Sequence, residues 1–122
     1  MVFFSLPVRY VSGCAVVTLP AEIDLVNVPD VRDTLLAVLN GGADGVVADM
    51  TGTVFCDAAG ARAMVRASGR AEALGTWLRV VITHPGPRKV FALTGADSLV
   101  PVFPDLAAAL GTGDARCRSA RP

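Results

Sequence analysis

The feature that most constrains this chain is one stretch of helical periodicity set between two short apolar runs. In Val28 to Leu39, the residues Val31, Leu35, Leu36 and Leu39 recur on one helical face while Arg32, Asp33 and Asn40 point elsewhere. Asn27 fits the N-cap, Pro29 suits the first turn, and Gly41-Gly42 offers the left-handed backbone that ends a helix. On either side lie Cys14 to Pro20 and Val46 to Met50, both rich in β-branched residues. Two strands joined through a helix can pair side by side only as a parallel βαβ unit. The chain is therefore committed to an α/β sheet with helices laid on it.

The rest of the sequence extends that unit. Phe3 to Tyr10 reads as a strand, joined to Cys14–Pro20 through Ser12-Gly13 as an antiparallel hairpin. Ala58 to Leu74 is a second helix, with Ala61, Val65, Ser68 and Glu72 on one set of positions and Met64, Ala67, Ala71 and Leu74 on another, ended by Gly75. Trp77 to Ile82 is a further strand, Pro87 to Leu93 a short helix stopped by Gly95, Leu99 to Phe103 a last strand and Pro104 to Leu110 a last helix. This gives a mixed sheet of four to five strands with helices packed against it, in one domain spanning residues 1–110. Residues 111–122 carry Arg116, Arg118 and Arg121 without periodic apolar positions and are expected to form a disordered tail.

Composition narrows the function. The 122 residues are 52% hydrophobic and 18% charged, enough apolar side chain to build one core. Eleven basic residues balance 11 acidic ones, so no global field draws in nucleic acid or anionic lipid. The apolar runs are far shorter than the roughly 20 residues of a membrane span, and the first residues lack the pattern of a secretory signal, which points to the cytoplasm. Cys14, Cys56 and Cys117 form no CxxC pair and read as reduced thiols, without a disulfide framework or a zinc site. His84 is the sole histidine, and no glycine pattern cradles a phosphate, so neither a metal nor a nucleotide cofactor is expected.

Several residues invite a chemical role. Asp57 stands immediately before the second helix, where a carboxylate caps free amides and complements the helix dipole. Cys56 beside it would serve a thiol-dependent enzyme only with a depressed pKa, a nearby base and a cavity; a small core residue is the plainer reading. Thr51 and Thr53 close the strand-end turn. Trp77 and the phenylalanines read as core or strand packing.

The run Val54-Phe55-Cys56-Asp57-Ala58-Ala59-Gly60, leading into a helix, resembles the signature turn of the STAS family, an Asp-Ser-Ser-Gly-like sequence between a strand and the second helix. Leu19 to Asp24 resembles the family's Gly-Glu-Leu-Asp stretch, and Val46 to Thr51 its Asp-Leu-Ser strand end. Leu93-Thr94-Gly95-Ala96 and Pro101-Val102-Phe103 are similar to pieces near its C-terminus, so the resemblance spans roughly residues 8–110.

What the resemblance implies is a partner-binding module and no enzyme: an anti-sigma factor antagonist that binds a GHKL-type kinase acting as anti-sigma factor, and so frees a sigma factor. In that branch the first serine of the turn is the phosphoacceptor; here the position is Ala58, which has no oxygen to phosphorylate. Partner-binding residues carried over from the resemblance are Asp24, Asn27, Asp57, Ala58, Ala59, Gly60 and Arg62. The competing readings are an accessory subunit of a lipid-transport ATPase or stress-signalling complex, and a degenerate paralogue that has lost binding. A homodimer is a further partner reading.

Overall fold

The computed structural model describes residues 6–111. Strand β1 (Val8–Val11) turns back into β2 (Cys14–Thr18) through Ser12 and Gly13, both at positive φ, as a two-residue hairpin whose twist matches the strands requires. A two-residue strand, β3 (Glu22–Ile23), precedes helix α1 (Val28–Asn40). Then come β4 (Gly45–Met50), a second two-residue strand β5 (Phe55–Cys56), and the long helix α2 (Ala58–Ala73). Strand β6 (Leu78–Ile82), helix α3 (Pro85–Thr94), a 3-10 turn over Ala96–Ser98, β7 (Val102–Phe103) and the short α4 (Leu106–Leu110) complete the order.

The main sheet runs β1-β2-β4-β6-β7, antiparallel at its first pair and parallel at the other three, a mixed sheet of five strands where four to five were expected. The strand pleat sorts its residues to two faces. Ala15, Val17, Val46, Ala48, Met50, Leu78, Val80 and Ile82 join the buried residues of α1, α2 and Phe91 of α3 in the principal core. Val16, Val47 and Val81 form a smaller cluster with Ala109, flanked by Trp77, Phe103, Leu106 and Leu110. There Arg79 stacks 4.0 Å from the Trp77 ring and donates 2.7 Å to the Ala109 carbonyl, tying α4 to β6.

Local differences from the sequence reading have clear causes. Helix α1 buries Val31, Thr34, Leu35, Val38 and Leu39, a run with helical spacing that leaves Leu36 at its half-buried edge. Helix α2 buries Gly60, Ala61, Ala63, Met64, Ala67, Ser68 and Ala71, with Glu72 and Leu74 exposed; small side chains let it lie close to α1 and the sheet. The last strand is only two residues long because the amides of Leu99 and Val100 are spent on the Ala96 carbonyl in the 3-10 turn. Cys14 corrects the thiol reading: it is disulfide-bonded, while Cys56 is free and Cys117 lies outside the described residues. Residue spacing speaks only to local pairs and is silent on bridges between distant cysteines. The expected tail and the start of the first strand also fall largely outside those residues.

Candidate functional site

At one end of the sheet, the chain leaves β2 and β4 in two loops that the sequence reading treated as separate. Backbone hydrogen bonds join them. Strands β3 and β5 pair in parallel, Glu22 opposite Phe55 and Ile23 opposite Cys56. The Val54 amide donates to the Ala21 carbonyl at 2.8 Å, and the Asp57 amide to the Ile23 carbonyl at 3.1 Å. The fully buried Thr53 hydroxyl adds a 2.8 Å bond to the Pro20 carbonyl. Thr51 remains exposed, its amide held 3.0 Å from the Asp49 carboxylate. Thr53 closes the strand-end turn through its amide, which donates to the Met50 carbonyl at 3.0 Å, while its hydroxyl ties that turn to the other loop rather than to nearby backbone as expected.

Asp57 begins α2 as anticipated: in extended backbone, its Oδ1 accepts from the Gly60 amide at 3.0 Å. Gly60 is where this end of the molecule is tightest. A Cβ there would lie 2.6 Å from Cys56 Sγ and 2.8 Å from Ile23 Cγ2, so only glycine lets the first turn of α2 settle on the β3–β5 ribbon. Ala58 and Ala59 are half-buried beside it, and Arg62 is exposed one turn further on.

Asn27 occupies the position before α1 but does not cap it, which corrects the sequence reading. Its own backbone is already helical, and its side chain turns back: Nδ2 donates to the Glu22 carbonyl at 2.7 Å and Oδ1 accepts from the Asp24 amide at 3.0 Å. Asp24 in turn accepts from the Val26 amide at 2.9 Å, a local Asx turn. These bonds hold Leu25 and Val26 out in solvent at 74% and 88% exposure. Across the ribbon, Val54 and Phe55 are about half exposed. These four apolar side chains escaped the sequence reading, and Phe55 departs from its assignment of the phenylalanines to packing. Hydropathy alone cannot separate an exposed Leu-Val pair in a turn from a buried one; the available signal was Asp24 and Asn27 bracketing it.

Cys56 lacks the depressed pKa that the thiol-enzyme reading asked for. Cys56 is buried, and that burial, with the neighbouring Asp57 carboxylate second, pushes its thiol up to about 12. Three surface cavities of about 310, 320 and 230 Å³ lie along α2, α3 and the segment from Thr94 to Pro104, and none of these takes in Cys56. Among the described residues no group of His, Cys, Asp or Glu gathers to hold a metal ion, and His84 lies at the start of α3. No helix among them is long and apolar enough to cross a membrane.

The family model described as the STAS domain matches residues 5–109. The chain belongs to the STAS family. Solved STAS structures share its fold. An anti-sigma factor antagonist from Mycobacterium paratuberculosis superposes at a TM-score of 0.80 with 27% identity, over 87% of this chain and 90% of that one. An anti-sigma-factor antagonist (STAS) domain protein from Planctomyces limnophilus gives 0.73 with 20% identity, over 85% and 92%. The anti-sigma factor antagonist SpoIIAA of Bacillus, in its unphosphorylated form, gives 0.70 with 19% identity, over 86% and 93%. A comparison with curated proteins finds no match.

Proposed function

We propose that this chain is an anti-sigma factor antagonist, a binding module without catalytic activity, that docks a GHKL-type anti-sigma kinase on the β3–β5 end of its sheet. One observation carries the reading: the start of α2 and the apolar side chains of Leu25, Val26, Val54 and Phe55 are brought to one end of the molecule by the β3–β5 ribbon. Exposed apolar side chains beside a helix start whose Gly60 amide is already capped by Asp57 suit a protein surface better than a small anion. The likeness to the Mycobacterium paratuberculosis antagonist supports the same class.

In this reading Asp24 and Asn27 shape the first loop, and Asp57 and Gly60 fix the helix start. Ala58, Ala59 and Arg62 then meet the partner, with the four apolar side chains around them. The methyl groups of Ala58 and Ala59 desolvate at little cost and accept no phosphoryl group, so binding is constitutive with respect to this turn.

The test is affinity capture followed by titration calorimetry against the kinase recovered. Ala58→Asp is expected to weaken the complex about tenfold or more by burying an unpaired charge. Ala58→Ser should make binding ATP-sensitive where the native chain is insensitive. Phosphate-controlled binding of the native chain would overturn the reading. Capture of a transport ATPase in place of a kinase would assign the chain to the accessory-subunit class.

A further inference from the structure

Beyond the helix start, α2 carries a second surface that shares only Arg62 with the proposed docking site. A groove of about 230 Å³ runs between α2 and the end of α3, lined by Arg62, Val65, Arg66, Thr94, Ala96 and Leu99. Its floor is aliphatic: Ala96 is buried, Val65 half-buried and packed on the principal core, while Leu99 stands 64% exposed at the rim. On the α2 side the rim is basic. Arg62 and Arg66 lie one helical turn apart on the same exposed flank, and neither forms an ion pair among the described residues.

We propose that this groove binds an acidic amphipathic helix of a partner protein, its apolar face on Val65 and Leu99 and two carboxylates one turn apart on Arg62 and Arg66. The inference rests on the docking reading above only for Arg62, which borders both surfaces. Several features select this occupant. An aliphatic floor beside two guanidiniums offers little to a free phosphate, which needs converging donors and no apolar wall. It suits a helix that pairs apolar contact on one stripe with charge on its edge. A nucleic acid or anionic membrane would call for an extended basic field, and the chain is balanced at 11 basic and 11 acidic residues. The residues of this sequence outside the described ones do not match the charge. Residues 112–122 hold Arg116, Arg118 and Arg121 against Asp114 alone, and residues 1–5 hold no carboxylate.

The experiment titrates isotope-labelled full-length protein with two model peptides of about 18 residues, roughly five helical turns each. Both carry the same leucine stripe, flanked in one by glutamates and in the other by lysines. The glutamate peptide is expected to shift the amide resonances of Arg62, Val65, Arg66 and Leu99 saturably, and the lysine peptide to leave them in place. Reversing the rim with Arg62→Glu and Arg66→Glu together should raise the Kd for the glutamate peptide about tenfold and give the lysine peptide measurable binding. Leu99→Ser should weaken binding severalfold, by about fivefold, with both charges intact. All three positions are exposed, so unchanged thermal unfolding of the variants checks that the fold persists.

Equal response to both peptides would overturn the proposal, as would shifts confined to Leu25, Val26 and Phe55. Concentration-dependent self-association through Leu99, with no peptide binding, would also overturn it by making a second copy the occupant. Because no kinase enters the experiment, its failure leaves the docking reading standing, and loss of kinase binding in Ala58→Asp leaves the groove untouched.

Discussion

Helices α1 and α2 both begin at the β3–β5 end of the molecule after a short polar residue, and the two residues do opposite work. Asp57 faces forward and closes its own helix, accepting from the Gly60 amide. Asn27 faces backward and closes the loop before its helix, bonding the Glu22 carbonyl and the Asp24 amide. The first start is rigid because a side chain cap, a close-packed glycine and a buried thiol fix it. The second keeps a loop in shape while leaving its apolar side chains in water. On the docking reading proposed above, the surface gains from both: a firm edge against which to align, and unburied apolar area to bury on contact.

The comparison breaks most severely at Gly60, the point where the two loops touch. Gly60→Val should destabilise the fold by about 3 kcal/mol, since the added carbons must displace Cys56 Sγ and Ile23 Cγ2, and this outweighs the gain of about 0.5 kcal/mol or less in helix propensity over glycine. Urea unfolding measures it. Combining Gly60→Ala with Cys56→Ala should cost less than the sum of the separate changes, and strict additivity would show that the sulfur is not the obstacle.

A smaller effect is expected at the cap itself. Asp57→Ala should cost about 1–2 kcal/mol in the same measurement, and Asp57→Asn most of a kcal/mol less, because the amide oxygen still accepts from residue 60. Equal losses in the two variants would mean that charge matters there more than geometry.

Asn27→Ala removes two hydrogen bonds from a partly exposed loop, so the global cost is about 1 kcal/mol. Its signature is local: amide exchange at Asp24 and Val26 should speed up by more than exchange in the sheet. A uniform acceleration across the sheet would mean that Asn27 supports α1 after all. Smallest of all, Leu25→Ser and Val26→Ser should change stability by less than about 0.5 kcal/mol, as befits side chains that touch mainly solvent. A larger loss would show that these residues belong to the core.

The same contrast explains what could be read from the residues. The first hairpin, the βαβ unit, α1, α2 and the Asp57 cap were legible because each rests on a strong local rule: helical period, strand composition, or a carboxylate before a helix. Strands β3 and β5 were not, since two residues show no alternation and their pairing joins positions more than 30 apart in sequence. Asn27 was misjudged for a related reason. A polar residue before a helix has two sets of backbone groups within reach, and only the position of Glu22, set by the ribbon, decides between them. Leu25 and Val26 are apolar by composition and exposed by context, and the lack of a CxxC pair did not exclude the disulfide at Cys14.

The ribbon between β3 and β5 has one further consequence. Its bonds run between main-chain atoms, and the one side chain that must be absent is that of Gly60. Nothing in that framework asks for a particular group at positions 58 and 59. On the docking reading proposed above, architecture and message are written in different atoms at this turn, so a hydroxyl, a methyl or a charge can be exchanged there and the scaffold that presents it need not be rebuilt.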